Sequence, residues 1–77
     1  MNHAIPDDVL NSAVCFCIDE YVRLERDRAI LRDHWFKGKS FQTLAGDYDL
    51  SLTAVKDIIY DKGDRILLRA EEISRGD

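Results

Sequence analysis

The sequence predicts a small all-α domain of about four helices. Of its 77 residues, 45% are hydrophobic, which is enough for one core, and a single proline with four glycines is too few for a fold rich in strands and turns. Apolar residues recur three and four positions apart along most of the chain, which is the spacing of amphipathic helices. We expect residues 1–5 to be a loose tail and residues 74–77 to be a frayed end of this single domain.

Residues 6–36 are predicted to form either one helix or a pair of helices. Pro6 and the two aspartates after it suit the first turn of a helix, where proline sacrifices no hydrogen bond and acids favour the positive helix end. The apolar stripe expected to be buried consists of Leu10, Val14, Cys17, Tyr21 and Leu24, flanked by Val9, Ala13 and Phe16. A helix of about 30 residues would project beyond so small a core, so we favour a joint at residues 23–25.

A second segment, residues 25–36, is predicted to turn Trp35 and Phe36 toward the core, with a partner-binding patch as the alternative. Lys37 and Gly38 then end it, because a cation suits the negative end of a helix and glycine tolerates left-handed backbone.

The clearest pattern lies in residues 38–59, where two short amphipathic segments flank a polar corner. Ser40 and Ser51 are predicted N-caps, so that helices begin at Phe41 and at about Leu52. The apolar positions are Phe41, Leu44 and Ala45 in the first segment and Val55, Ile58 and Ile59 in the second. This is the spacing of a helix-turn-helix, a unit that holds its second helix where it can enter the major groove of DNA.

The corner itself and the helix after it carry further signals. Asp49 stands where a left-handed backbone is often needed, and Leu50 supplies an apolar plug. The next helix continues to about residue 69, so that residues 38–69 hold the motif and a long C-terminal helix. We expect a kink at residues 62–64, where Gly63 interrupts the apolar stripe, and fraying beyond Glu71.

The charge balance is unusual for a DNA-binding domain. The net charge is −4, whereas phosphate binding depends largely on Lys and Arg that displace counterions. Residues 1–36 carry four Arg against seven acids, and residues 37–76 carry seven Lys and Arg against seven acids. The motif half is therefore the less acidic half, without being a basic patch.

Other classes of function find little support in the sequence. A zinc site built from Cys15, Cys17, His3 and His34 has no recognised ligand spacing, so we predict no metal and no cofactor. No phosphate-binding glycine loop or nucleophile motif is present, which argues against an enzyme. Without a run of about 18 apolar residues or a signal-peptide pattern, we expect a cytoplasmic protein that does not enter the membrane.

Four stretches of the chain resemble region 4 of bacterial sigma factors. They are residues 24–31 (LERDRAIL), 35–41 (WFKGKSF), 44–45 (LA) and 50–56 (LSLTAVK). The likeness is to extracytoplasmic-function sigma factors and to small phage or mobile-element regulators, and it covers roughly residues 24–69. LuxR-type response-regulator domains share part of the last stretch. The resemblance implies a domain that reads the promoter −35 element and touches RNA polymerase.

The resemblance also implies a set of DNA contacts. Ser51, Thr53 and Lys56 fall where the family's recognition helix approaches phosphates and base edges, and Lys37 and Lys39 fall near the DNA backbone. Asp57 is a departure, because such helices commonly carry Arg or Lys there; an aspartate can accept a hydrogen bond from cytosine N4 but repels phosphate. Region 2, which melts promoter DNA in this family, has no counterpart here, so we do not expect a complete sigma factor.

Two hypotheses about function remain. The first is a DNA-binding transcription regulator that places residues 52–61 in the major groove of double-stranded DNA, as a homodimer or beside RNA polymerase. The second is an acidic interaction module that binds polymerase, a sigma factor or another regulator without specific DNA contact. Asp57, Asp61 and Asp64 are expected either to form ion pairs within the helix with Lys56, Lys62 and Arg65 or to present an acidic surface to a basic protein.

Overall fold

The computed structural model describes Ile5 and residues 9–75, and this part of the chain is all-α. The helices are α1 (Asn11–Tyr21), α2 (Glu25–Lys37), α3 (Phe41–Asp47), α4 (Leu52–Asp57) and α5 (Gly63–Ser74). A π-helical turn, Ile58–Lys62, joins α4 and α5 into one continuous rod, so the described residues form four rods. The core contains residues of α1, α2, α3 and the long rod, among them Val14, Ile18, Ile30, Leu31, Leu44, Val55, Ile59 and Ile66.

Helix α1 begins later than the sequence predicts. Leu10 has an extended backbone (φ −72°, ψ 135°), so the helix starts at Asn11, and the predicted start at Pro6 lies outside the described residues. The Leu10 amide donates a hydrogen bond to the Ser74 hydroxyl at 2.9 Å, which fastens the start of α1 to the end of α5. Ile5, expected in a loose tail, packs against the core.

The predicted apolar stripe of the first helix is partly wrong. Leu10, Tyr21, Leu24 and Phe16 are all more than half exposed. Leu10 and Leu24 have extended backbone just before α1 and α2, and Tyr21 is the last residue of α1. Helical periodicity therefore does not turn these three side chains into the core. Ile18, which the stripe omitted, is fully buried beside Val14.

The favoured joint is confirmed, one residue earlier than predicted, at residues 22–24, although no glycine or proline marks it. Arg28 of α2 donates hydrogen bonds to the carbonyl oxygens of Val22 and Asp19, the latter at 3.2 Å, and Arg32 pairs with the Asp19 carboxylate. Because the last carbonyls of a helix lack partners within it, these arginines stabilise the end of α1, where the local sequence contains no helix-breaking residue.

The boundary between α2 and α3 agrees more closely with the sequence prediction. Gly38 adopts left-handed backbone (φ 70°), and the Ser40 hydroxyl accepts a hydrogen bond from the Thr43 amide. Trp35 packs partly buried against the core, whereas Phe36 is 39% exposed and does not join it as predicted.

The expected kink near Gly63 is a widened turn placed about four residues earlier. Gly63 itself is ordinary α-helix (φ −61°), and the chain distorts at the π-helical turn before it. Ile59, within the π-helical turn, and Ile66, after it, are both buried in the core. The rod then runs to Ser74 rather than fraying beyond Glu71.

Candidate nucleic-acid interface

The corner between α3 and α4 is tight and hydrogen-bonded. Asp49 has a left-handed backbone (φ 54°), as the sequence predicted. The Tyr48 amide donates to the Leu44 carbonyl at 3.0 Å, and the Leu50 amide donates to the Ala45 carbonyl at 2.9 Å. These bonds satisfy the last carbonyls of α3 and redirect the chain within three residues.

Helix α4 presents a polar side because its opposite side is buried. The Ser51 hydroxyl caps the helix by accepting a hydrogen bond from the Ala54 amide at 3.1 Å, so α4 begins at Leu52 as predicted. Val55 lies wholly in the core, and Thr53, Lys56 and Asp57 are exposed. Ser51 is exposed as well, but its hydroxyl is engaged by the backbone.

The predicted recognition segment, residues 52–61, is not a uniform α-helix. Its first six residues form α4, and the remainder belongs to the π-helical turn. Thr53, Lys56 and Asp57 all lie in the regular part, within the first two turns, where their spacing is that of an ordinary α-helix.

Lys37 is the last residue of α2, Lys39 lies between α2 and α3, and both are ion-paired. The Lys39 ammonium lies 3.0 Å from Asp47 Oδ2 and 3.6 Å from Asp33 Oδ2, and that of Lys37 lies 3.4 Å from Asp33 Oδ1. The hydrogen bond to Asp47, reinforced by the charge of both carboxylates, raises the pKa of Lys39 above its ordinary value. Two of the predicted phosphate contacts are therefore neutralised within the protein.

Asp33 is the centre of a polar cluster that sequence reasoning missed. The Tyr48 hydroxyl, at the end of α3, donates a hydrogen bond to Asp33 Oδ2 at 2.9 Å, and the carboxylate is buried. Burial by itself would raise the pKa of Asp33, but the bond from Tyr48 and the charges of Lys37 and Lys39 outweigh it and lower the pKa. Nothing local in the sequence signals this contact, since 15 positions separate the two residues.

The ion pairs predicted along the long rod form only in part. Asp61 and Arg65 pair at 3.7 Å on the surface, but Lys62 turns inward to the buried carboxylate of Asp27 on α2. Lys56 forms no ion pair with any described residue. The exposed side of α4 therefore offers one unpaired cation, with Asp57 beside it.

The residues considered for metal binding are not assembled into a site within residues 9–75. No group of three metal-ligating side chains occurs there, and His3 lies outside the described residues. Cys17 is buried, and burial raises the pKa of its thiol, while Cys15 is half-buried. The centroids of the His34 and Phe41 rings lie 5.0 Å apart, and His34 Nδ1 lies 3.0 Å from the carbonyl oxygen of Lys39.

Comparison with known proteins gives no family assignment, because no family model, no curated protein and no solved structure matches this chain. The resemblance to sigma factor region 4 accordingly rests on the residue motifs alone. Among the helices described, none combines the length and the apolar character that crossing a bilayer requires.

Proposed function

We propose that this protein is a DNA-binding transcription regulator that uses a helix-turn-helix formed by α3 and α4, with α4 entering the major groove. The observation that carries the proposal is the outward set Thr53, Lys56 and Asp57 on a short helix that comes after a tight corner. Val55, on the opposite side of α4, is buried in the core, so the helix is held with these three side chains facing outward.

Each member of the set has a chemistry suited to DNA. The Thr53 hydroxyl can donate to a phosphate or a base edge, and the Lys56 ammonium can bind a phosphate or guanine O6 and N7. Asp57 accepts only, so its one favourable base partner in the major groove is an exposed amino group such as cytosine N4. Lys37 and Lys39 would approach the DNA backbone after exchanging a carboxylate partner for a phosphate.

The charge distribution implies weak binding by one copy. When a lysine that already pairs with a carboxylate moves to a phosphate, the counterion released from the DNA is offset in part by the cation that the freed carboxylate attracts, so only Lys56 contributes fully to the salt-dependent part of the affinity. We therefore expect the protein to require additional contacts, from a second copy or from polymerase, to occupy a specific site.

The direct test measures duplex binding at increasing salt by fluorescence anisotropy, with a pool of random duplexes as the probe. We expect binding at low salt and a Lys56→Ala variant whose salt dependence is shallower by about 0.9 in log K against log salt. Arg23→Ala is the matched control, because Arg23 is an exposed cation that, like Lys56, forms no ion pair with a described residue, and it lies outside α3 and α4. No binding of the unaltered protein at low salt would overturn the proposal.

The second candidate, an acidic interaction module, draws support from a separate feature. A shallow hollow of about 490 Å³ lies along the rod just beyond Lys56 and is lined by Asp57, Ile58, Tyr60, Asp61 and Lys62. Its single lysine is bound to Asp27 and Asp61 pairs with Arg65, so Asp57 is the lining acid that has no ion pair with a described residue and could meet a basic partner. If this candidate holds, a tagged chain recovers RNA polymerase or another regulator from lysate even after nuclease treatment, and recovery that disappears with the DNA counts against it.

A further inference from the structure

An apolar groove runs between α1 and α5. Its volume is about 520 Å³, and it is lined by Leu10, Ser12, Ala13, Phe16, Arg69 and Ile73. Leu10 is 59% exposed, Phe16 55% and Ile73 36%. Three large apolar side chains grouped in one groove of so small a protein mark a surface that another apolar surface can cover.

Charged residues of both signs lie at or beside the groove. Arg69, its only charged lining residue among those described, donates to the Tyr21 hydroxyl at 3.1 Å and lies 3.3 Å from Glu72 on its own helix. Glu20, one helical turn after Phe16, is exposed and forms no ion pair with a described residue. In a copy turned by a two-fold axis, Glu20 of each chain could pair with the Nη2 group of Arg69 of the other, which would then share the guanidinium with Glu72.

Few apolar residues of this sequence lie outside the described part. Outside the described residues lie positions 1–4, 6–8 and 76–77, whose apolar members are Met1, Ala4 and Pro6. Ile5, the remaining large apolar residue of the N-terminus, already packs against the core.

We propose that two copies of this chain pair through the α1–α5 groove. The start of α1 lies against the end of α5, and its end lies beside Arg65 and Ile66 near the start of α5, so the two helices run antiparallel. Two such pairs stacked face to face form a four-helix arrangement, which buries the exposed phenylalanine of each copy.

The pairing leaves the candidate DNA face free. Helix α1 packs on α5 and α2, whereas α3 packs on α2 and α4, so the groove and the corner belong to different parts of the fold. A pair joined at α1 and α5 presents two α4 helices, and the pairing is measured without DNA, so its failure is separable from that of the proposed function.

The area of the groove sets the strength of the pairing. Helix α1 has 11 residues, hence a length of roughly 16 Å, and two helices side by side span roughly 20 Å, which gives a face of a few hundred Å². Stable complexes bury about 800 Å² on each partner. We therefore expect reversible association that rises with concentration rather than a permanent dimer.

Sedimentation equilibrium of the full chain at concentrations from micromolar to millimolar tests this. The expected average mass rises from that of one chain, 8.9 kDa, toward twice that value. Phe16→Glu is expected to weaken the association at least tenfold. Leu68→Glu is the matched control, because Leu68 is 66% exposed on α5 but does not line the groove, and it should leave the association unchanged.

The folded state of each variant is checked by circular dichroism, since both substitutions are at exposed positions and should leave the helices intact. A chain that sediments as a monomer throughout the concentration range would overturn the proposal. Association that survives Phe16→Glu, or that Leu68→Glu weakens equally, would overturn it as well, because the pairing surface would then lie elsewhere.

Discussion

Tyr48, the residue immediately after α3, donates its hydroxyl hydrogen to the buried carboxylate of Asp33 on α2 at 2.9 Å. The bond ties the residue immediately before the left-handed Asp49 to a neighbouring helix. It therefore fixes the direction in which the chain leaves α3 and, through it, the orientation of α4.

Replacing Tyr48 by phenylalanine should remove this bond while keeping the ring. Hydrogen bonds to charged groups contribute about 1.5 to 3 kcal/mol, so we expect Tyr48→Phe to lower the free energy of unfolding by about 1.5 kcal/mol. Urea denaturation measures the change. The control is Tyr21→Phe, whose hydroxyl meets exposed Arg69 and should matter less; equal effects of the two variants would contradict the role of Asp33.

The lowered pKa of Asp33 makes stability depend on pH on the acid side. A carboxyl whose pKa is lower in the folded state stabilises the fold at pH values well above its ordinary pKa of 3.8, and the contribution disappears as the pH falls through the folded-state value. Urea denaturation from pH 6 downward should therefore show a loss of stability below about pH 4. Asp33→Asn should start from lower stability and lose less over the same range, and an unchanged slope would contradict the assignment.

Breaking the ion pair between Lys62 and buried Asp27 should lower the free energy of unfolding more than breaking the exposed pair between Asp61 and Arg65. Lys62→Met leaves the Asp27 carboxylate in the interior with Arg26, 3.1 Å away, as its remaining described cation. Removing one partner of a buried pair costs about 3 to 5 kcal/mol, and because Lys62 is half-exposed we expect a loss of about 2 kcal/mol in thermal or urea unfolding.

The control for that prediction is Arg65→Met, which breaks an exposed pair with Asp61 on the same rod. Exposed pairs contribute at most about 1 kcal/mol, so this variant should be nearly as stable as the unaltered protein. Equal losses of stability in Lys62→Met and Arg65→Met would show that the buried ion pair stabilises the fold no more than the exposed one.

Asp47 competes with DNA for Lys39 if α3 and α4 bind a duplex. Asp47→Asn frees the Lys39 ammonium from a carboxylate 3.0 Å away, so we expect roughly three- to fivefold tighter duplex binding at low salt. The salt dependence should become steeper by less than about 0.9, because Asp33 still lies 3.6 Å from the same ammonium. Asp19→Asn changes the net charge equally, yet Asp19 on α1 pairs with Arg32 on α2, outside α3 and α4, so it should have little effect. Equal gains from the two variants would show a general charge effect.

The local features near the corner could be predicted because they depend on neighbouring residues. Ser40 and Ser51 cap helices through hydroxyls that reach only three residues ahead, and Gly38 and Asp49 take left-handed backbone at the ends of α2 and α3. For the same reason the exposure of Thr53 and Lys56 could be inferred from the position of Val55.

The features that the sequence did not predict share the opposite property. The start of α1 and the turn before α5 both make contacts with partners far along the chain, namely Ser74 and Asp27. A breaker residue is unnecessary where a distant side chain supplies the missing hydrogen bond, so no periodicity could place these boundaries. The spacing of charged residues along the sequence also could not show which carboxylate each lysine pairs with.

The amino-acid sequence by itself determined an all-α chain, the caps and the corner of α3 and α4, and the side of α4 that faces outward, since all of these depend on backbone geometry within a few residues. Only the tertiary structure decided that Lys37, Lys39 and Lys62 are bound to carboxylates while Lys56 is not, and that Phe16 and Ile73 stay exposed. Charge pairing and burial depend on which helices come together, and that is a property of the whole fold.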